Sequence, residues 1–162
     1  MVDLVSMNGS QFSRILLPYD GKEMSNKALE EAVKFAKQIG SHITILYVID
    51  ERYARPSGVF SFLREEHTLN EAKMELRRVL SSAAQKMLEE KLGRLKENGI
   101  SAAVEIVYGA PSEEILKFAE SKKFDMIIMG SRSLKSFKKF RALGSVARRV
   151  SELSEIPIML VH

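Results

Sequence analysis

The chain has 162 residues, 45% of them hydrophobic and 28% charged, a composition typical of one globular domain. It contains no cysteine, which excludes disulfides, thiolate metal sites and cysteine nucleophiles. No apolar run approaches the ~20 residues that span a bilayer, and the N-terminus has an early acid and no basic segment, unlike a secretory signal. The expected location is therefore the cytoplasm.

The formal net charge of +4 is concentrated in one part of the chain. Between Arg132 and Arg149 there are seven basic residues and no acidic ones, which leaves 18 basic and 21 acidic residues elsewhere. Such a distribution predicts one face that attracts anions, because a polycationic protein would spread its charge more widely.

The first 50 residues predict a strand, a helix and a strand. An apolar run that stops at turn-forming residues is typical of a strand buried on both faces. A polar, aperiodic leader at 1–13 is expected to precede a single domain at 14–162. The predicted elements are a strand at 15–17, a helix capped by Ser25 and ended by Gly40, and a strand at 42–49.

The middle of the chain does not continue this alternation of strands and helices. Residues 51–68 have no sustained period, so we expect a long loop that either is mobile or packs on a partner. A long amphipathic helix is predicted from Leu69 to Glu97. Its apolar side chains could dock a partner, but a face that packs on the core is the commoner explanation. These side chains are Met74, Leu76, Val79, Leu80 and Met87.

The second half repeats the alternation of strands and helices. The predicted elements are a strand at 103–107, a helix that begins near Pro111, a strand at 125–129, a basic connection at 131–143, a helix at 144–153 and a strand at 157–161. Five strands that alternate with four helices predict an α/β fold, a doubly wound parallel sheet with helices on both faces. Ligands of such folds bind beyond the carboxyl ends of the strands, where the strand order reverses.

Two loops at predicted strand ends have residues suited to ligand binding. From Gly130 to Ser145 the chain combines glycines, hydroxyls and cations with a Gly-Ser pair that opens a helix, where free amides can bind phosphate oxygens. A solvated basic loop explains the same composition equally well. Asp20 could hold a ribose or a metal that bridges phosphates, although an Asp-Gly turn that caps the next helix is slightly favoured.

No set of residues typical of an enzyme is visible. The three histidines lie apart in the sequence at positions without metal-ligand spacing, and there is no nucleophile elbow, Walker loop or dinucleotide fingerprint. Slow ATP hydrolysis is the only enzymatic activity that we consider. Phe137 and Phe140 among basic residues allow a nucleic-acid interface, which we rank below the other hypotheses because the pattern does not recur.

Several segments together resemble the universal stress protein family from Arg14 to His162. Each segment is weakly specific, but their order and spacing together are specific. They are Ile-Leu-Leu-Pro-Tyr-Asp-Gly at 15–21, Tyr-Val-Ile-Asp at 47–50, Val-Tyr-Gly-Ala-Pro at 107–111, Phe-Asp-Met-Ile-Ile-Met-Gly-Ser at 124–131, Leu-Gly-Ser-Val-Ala at 143–147 and Ile-Pro-Ile-Met-Leu-Val at 156–161.

The resemblance implies a sheet of order 3-2-1-4-5 and a homodimer in which the C-terminal strands at 157–161 pair. Its nucleotide-binding branch holds ATP or a related adenine nucleotide between the ends of strands 1 and 4. The branch's motif is Gly, two residues, Gly, nine residues, then Gly followed by Ser or Thr. Here Gly130 and Gly144-Ser145 match, but Ser133 replaces the second glycine and the following spacer is ten residues long.

The resemblance also implies a set of site residues. Adenine and ribose would lie near the ends of the first two strands, the sugar and α-phosphate along the segment after strand 4, and the phosphates at the start of the last helix, with magnesium or manganese as an accompanying ion. The residues are Pro18, Asp20 and Val48 in the first group, Gly130, Ser131 and Arg132 in the second, and Gly144, Ser145 and Val146 in the third.

We therefore interpret the chain as a dimeric, nucleotide-binding regulatory protein of stress responses, which acts on an unidentified downstream protein through ligand-dependent conformation. The alternative is a scaffold of the same family that has lost its nucleotide and works through protein contacts. The departure at Ser133 keeps this alternative open, because a side chain there is unfavourable if the backbone needs a positive φ.

Overall fold

A computed structural model of the chain describes residues 12–50, 66–131 and 143–162, with only the backbone described at 66–69. Five strands and four helices alternate along these residues and confirm the predicted α/β fold. The elements are β1 (Arg14–Pro18), α1 (Glu23–Ile39), β2 (His42–Ile49), α2 (Glu66–Glu97), β3 (Ala102–Tyr108), α3 (Pro111–Ser121), β4 (Met126–Gly130), α4 (Ser145–Leu153) and β5 (Ile158–Val161).

The strands form one parallel sheet of order β3-β2-β1-β4-β5, which is the order that the resemblance implied. Alternate residues of the strands point to opposite faces and build two apolar layers. On one face Ile15 and Leu17 pack with α1 and the C-terminal half of α2. On the other face Leu16 and Leu46 pack with α3 and α4. The sheet is therefore covered on both sides, as a parallel sheet requires.

The first residues of the domain are attached to this sheet. Of the leader expected at 1–13, only Phe12 and Ser13 are described. The Phe12 ring lies 6.3 Å from that of Phe35, and the Ser13 hydroxyl donates to Asp125 over 2.9 Å. Both residues thus contact the domain, whereas residues 1–11 lie outside the described part.

The predicted cap of α1 is wrong. The helix begins at Glu23 with Lys22 as its N-cap residue, and no side chain caps it. Ser25 is 6% exposed, and its hydroxyl donates back to the Lys22 carbonyl over 2.9 Å. The physical reason is the preceding Asp-Gly turn, in which the Asp20 carboxylate accepts the Lys22 N–H over 3.1 Å and so starts the helix three residues earlier than a Ser25 cap would.

The helix α2 also departs from expectation. It begins at Glu66, so the last residues of the loop expected at 51–68 are helical, and 51–65 lie outside the described part. Of the five apolar side chains expected to pack on the core, Met74, Leu76, Val79 and Leu80 are exposed, Met74 at 69%, and Met87 alone packs against the buried cluster. With 32 residues the helix is about 48 Å long, about twice the length of a seven-residue strand, so its first half extends past the sheet.

Within the described segments, no helix combines the length and hydropathy that crossing a membrane requires.

Gly130 lies at the closest approach between a helix and the sheet. A Cβ built at this position would stand 2.4 Å from the carbonyl oxygen of Met24, in the first turn of α1. Real side chains do not tolerate that separation from backbone, so only glycine lets α1 lie this close to the end of β4.

Replacing Gly130 with alanine should therefore destabilise the fold. We expect a loss of about 2 kcal/mol in the free energy of unfolding, because backbone atoms have to move apart. Gly93→Ala is the matched control: its Cβ would meet nothing within 4 Å inside α2, and alanine should stabilise a helix by about 0.5–1 kcal/mol. Urea unfolding measures both variants, and equal stabilities would contradict this account of Gly130.

Candidate functional site

The strand order reverses at β1, which has β2 on one side and β4 on the other. Registered pairing between β1 and β2 continues to Pro18 and Leu46. Pairing between β1 and β4 ends earlier, at Leu16 and Ile127, before either strand is complete. The carboxyl ends of β1 and β4 are therefore not paired with each other, and this is the position in a doubly wound sheet where ligands bind.

Asp20 presents an ionised carboxylate at this position. Burial alone would raise its pKa, but hydrogen bonds from the Lys22 backbone and ammonium outweigh this and hold the pKa below its ordinary value. Lys22 Nζ lies 3.1 Å from Asp20 Oδ2, and 55% of the Asp20 side chain remains exposed. An exposed, ionised carboxylate can accept hydrogen bonds from the hydroxyls of a sugar.

Tyr19 fixes the turn that carries Asp20, a role that was not predicted from the sequence. Its backbone N–H donates to the Leu46 carbonyl over 2.9 Å, and its hydroxyl donates to Asn26 Oδ1 over 2.7 Å. Burial raises the pKa of Tyr19, with smaller contributions from the carboxylates of Asp20 and Glu90, so the hydroxyl stays protonated as a donor. In the sequence, the signal for this role is the Tyr19-Asp20 pair with Asn26, seven residues after the tyrosine, on α1.

Apolar side chains approach the same edge on the face covered by α3 and α4. Val48 and Val146 are half-buried, and both pack against the cluster that contains Leu16 and Met129. Pro18 lies two residues after Leu16 on β1, so strand alternation directs it to this face as well. Half-buried apolar groups beside a polar edge are typical of the part of a pocket that holds an aromatic ring.

The start of α4 provides backbone amides. Gly144 is its N-cap residue in an extended conformation, and no side chain in the described part of the chain caps it. Ser145, the first helical residue, is exposed. Because α4 leads into the parallel strand β5, its N-terminus lies at the carboxyl edge of the sheet, where the uncapped amides and the helix dipole favour an anion.

Gly130 and Ser131 have partners within the protein. Gly130 faces Met24 of α1. Ser131 is fully buried; its amide donates to the Val161 carbonyl over 2.9 Å, and its hydroxyl lies 2.6 Å from Nδ1 of His162 and 3.2 Å from the same carbonyl. These contacts join the end of β4 to the last residues of the chain, and they use the only hydroxyl proton that Ser131 has.

Part of the expected site lies outside the described residues. This applies to Arg132, to Ser133 and to most of the basic connection at 131–143. In the segments that are described, no three His, Cys, Asp or Glu side chains come close enough together to hold a metal ion. The turn after β1 and the start of α4 bring a carboxylate and uncapped backbone amides to the carboxyl edge of the sheet.

Known proteins are similar to this chain in both sequence and fold. The sequence model of the Universal stress protein family matches residues 11–162. Universal stress protein YxiE of Bacillus subtilis is 33% identical over 152 residues, which cover 93% of this chain and 99% of that protein. Universal stress protein MJ0577 of Methanocaldococcus jannaschii is 34% identical over 154 residues, which cover 93% and 94%.

Solved structures of universal stress proteins are similar to this chain in fold. The structure of MJ0577 superposes with a TM-score of 0.77 at 31% identity and covers 93% of this chain and 96% of that chain. A universal stress protein in complex with cAMP has a TM-score of 0.64 at 21% identity, covers 93% and 97%, and shares the fold. A family match over nearly the whole length, supported by relatives above 30% identity, means that the chain belongs to the universal stress protein family.

Proposed function

We propose that the chain binds an adenine nucleotide at the carboxyl ends of β1 and β4 and acts in stress responses as a nucleotide-dependent regulatory protein. The observation that carries this proposal is the uncapped N-terminus of α4 at the edge where β1 and β4 are unpaired. A phosphate would satisfy the amides of the helix start, which otherwise depend on water.

The other groups at this edge suit the remaining parts of the ligand. Asp20 would accept hydrogen bonds from the ribose hydroxyls, because its carboxylate is ionised and half-exposed. Val48, with Pro18, would contact adenine, and Val146 lies beside the phosphate-binding residues in the first turn of α4. Gly144 and Ser145 would donate amides, and Ser145 its hydroxyl, to the phosphates.

Gly130, Ser131 and Arg132 are proposed to line the sugar and the α-phosphate. Since the Ser131 hydroxyl and N–H are both bonded to the last two residues of the chain, Ser131 would contribute its main-chain carbonyl, which can accept from a sugar hydroxyl. A magnesium or manganese ion would accompany the phosphates, and the ionised, half-exposed carboxylate of Asp20 would be its ligand from the described part of the site. The related fold that is bound to cAMP supports an adenine nucleotide as the ligand class.

A nucleotide-free scaffold of the same family is the second candidate. It is favoured because two expected site residues have roles inside the protein that need no ligand. Glycine at position 130 is needed for the close approach of Met24, and the Ser131 hydroxyl contacts His162. Titration with nucleotide separates the two functions.

We further propose that the chain forms a homodimer through residues 157–161. Strand β5 is at one end of the sheet order, and its residues are all half-buried. The carbonyls of Pro157 and Val161 accept from Ile127 of β4 and from Ser131 just after it, so strand alternation directs the backbone groups of Ile158 and Leu160 to the outer edge. A second copy of β5 would pair with those groups and cover the apolar side chains.

Replacing Asp20 with alanine should weaken nucleotide binding at least tenfold, because a hydrogen bond to a charged group contributes about 1.5–3 kcal/mol. Isothermal titration with AMP, and with ATP plus magnesium, measures the affinity. Glu30→Ala, an exposed acid farther along α1, is the control and should bind as the natural chain does. Equal affinities of the Asp20 variant and the control would remove Asp20 from the site, and no binding by the natural chain would favour the scaffold.

Replacing Leu160 with proline should abolish the pairing of two copies along β5. Proline removes an outward N–H and leaves the pairing with β4 in place. Leu160→Ala removes a similar amount of side chain but keeps that N–H, so it should remain dimeric. Light scattering after size exclusion gives the mass, and a folded proline variant with the same mass as the alanine variant would contradict an interface along β5.

A further inference from the structure

The two halves of α2 have different environments. In the C-terminal half, Ala84, Leu88 and Leu95 are buried against the sheet. In the N-terminal half every residue from 73 to 80 is exposed. Because these residues are exposed, this half gains little stability from the chain's own core. A helical segment of this length is marginal in water without a surface to pack against.

One face of this exposed half has two acids toward its N-terminal end, Glu71 and Glu75 on either side of Met74, and two arginines, Arg77 and Arg78, toward its C-terminal end. Met74 is the most exposed large hydrophobic residue in the described part of the chain, at 69%. It lines an open groove of about 540 Å³ with Tyr108 from the end of β3. Glu71 and Arg78 line the same groove, and a separation of seven residues places them two turns apart on one helix face.

This order of charges is complementary to itself in only one orientation. If two copies of α2 cross antiparallel with a two-fold axis between Met74 and Glu75, Glu71 of each copy lies opposite Arg78 of the other. In a parallel pair, each of these residues would meet its own like charge, which is unfavourable. Arg78 already contacts Glu75 over 2.7 Å in its own helix, so the contact across the axis would extend an existing ion pair into a network.

We propose that the exposed half of α2 is a self-association surface on which two copies of this chain pair antiparallel about Met74. Each Met74 enters the groove of the other copy beside Tyr108, where a thioether makes favourable contacts with an aromatic ring. Tyr108 is held for this contact by Arg77, whose guanidinium lies 5.5 Å from the ring centre, and by a hydrogen bond with Ser81. This surface is separate from β5 and does not depend on the nucleotide.

Thiol cross-linking tests the orientation directly. The natural chain has no cysteine, so Met74→Cys and Gln85→Cys each introduce one thiol per chain on the same face of the helix. In the proposed pair, the Met74→Cys thiols are adjacent, whereas the two copies of position 85 are about 30 Å apart along the helix. A short bismaleimide should therefore yield covalent dimers of the Met74 variant only. Cross-linking of both variants, or of neither, would overturn the proposal.

Charge reversal provides a second test that retains Met74. Glu71→Arg and Arg78→Glu should each weaken self-association roughly tenfold by making two contacts repulsive, and the double variant should restore the natural affinity. Sedimentation velocity in the Leu160→Pro background removes association through β5. Single variants that associate as tightly as the background would overturn the pairing, as would a double variant weaker than both.

Discussion

The close approach of α1 to the end of β4 is the constraint on which this structure depends. The Met24 carbonyl lies where a side chain at position 130 would be, so glycine is required there. With α1 held against β4, the turn from β1 must be short, and Asp20 both forms that turn and presents its carboxylate at the edge of the sheet. The same edge carries the start of α4, because α4 must return the chain to a strand parallel to β4.

These constraints give several residues two roles. Gly130 permits helix packing, and in the proposed site it also allows a sugar to approach. Ser131 connects β4 to the C-terminus through His162, and in the proposed site its main chain lies along the ligand. Nucleotide binding at this edge would therefore act on α1, β4 and β5 together, and β5 is the proposed dimer interface. A regulatory function through conformation needs a connection of this kind between ligand and interface.

The order of strands and helices could be predicted because buried parallel strands and amphipathic helices have distinct sequence periods. The predicted start of α1 is wrong because the side chains of Ser25 and Asp20 can each accept a backbone N–H near a helix start. The geometry of the turn, which the sequence does not show, decides which of them does so. The exposure of Met74 was missed because periodicity shows that a helix has an apolar face but not how far the sheet beneath it extends. The contact of Ser131 with His162 joins residues 31 positions apart, which no local pattern shows.

The most direct test of nucleotide binding is to identify what the protein retains on purification. The chain is purified without added nucleotide and denatured, and the released small molecules are measured by mass spectrometry, with Gly144→Val as the control because it changes the start of α4. The account predicts an adenine nucleotide close to one per chain, absent from the control. No adenine nucleotide in the supernatant, together with no heat on titration with AMP or with ATP and magnesium, would contradict it and favour the scaffold.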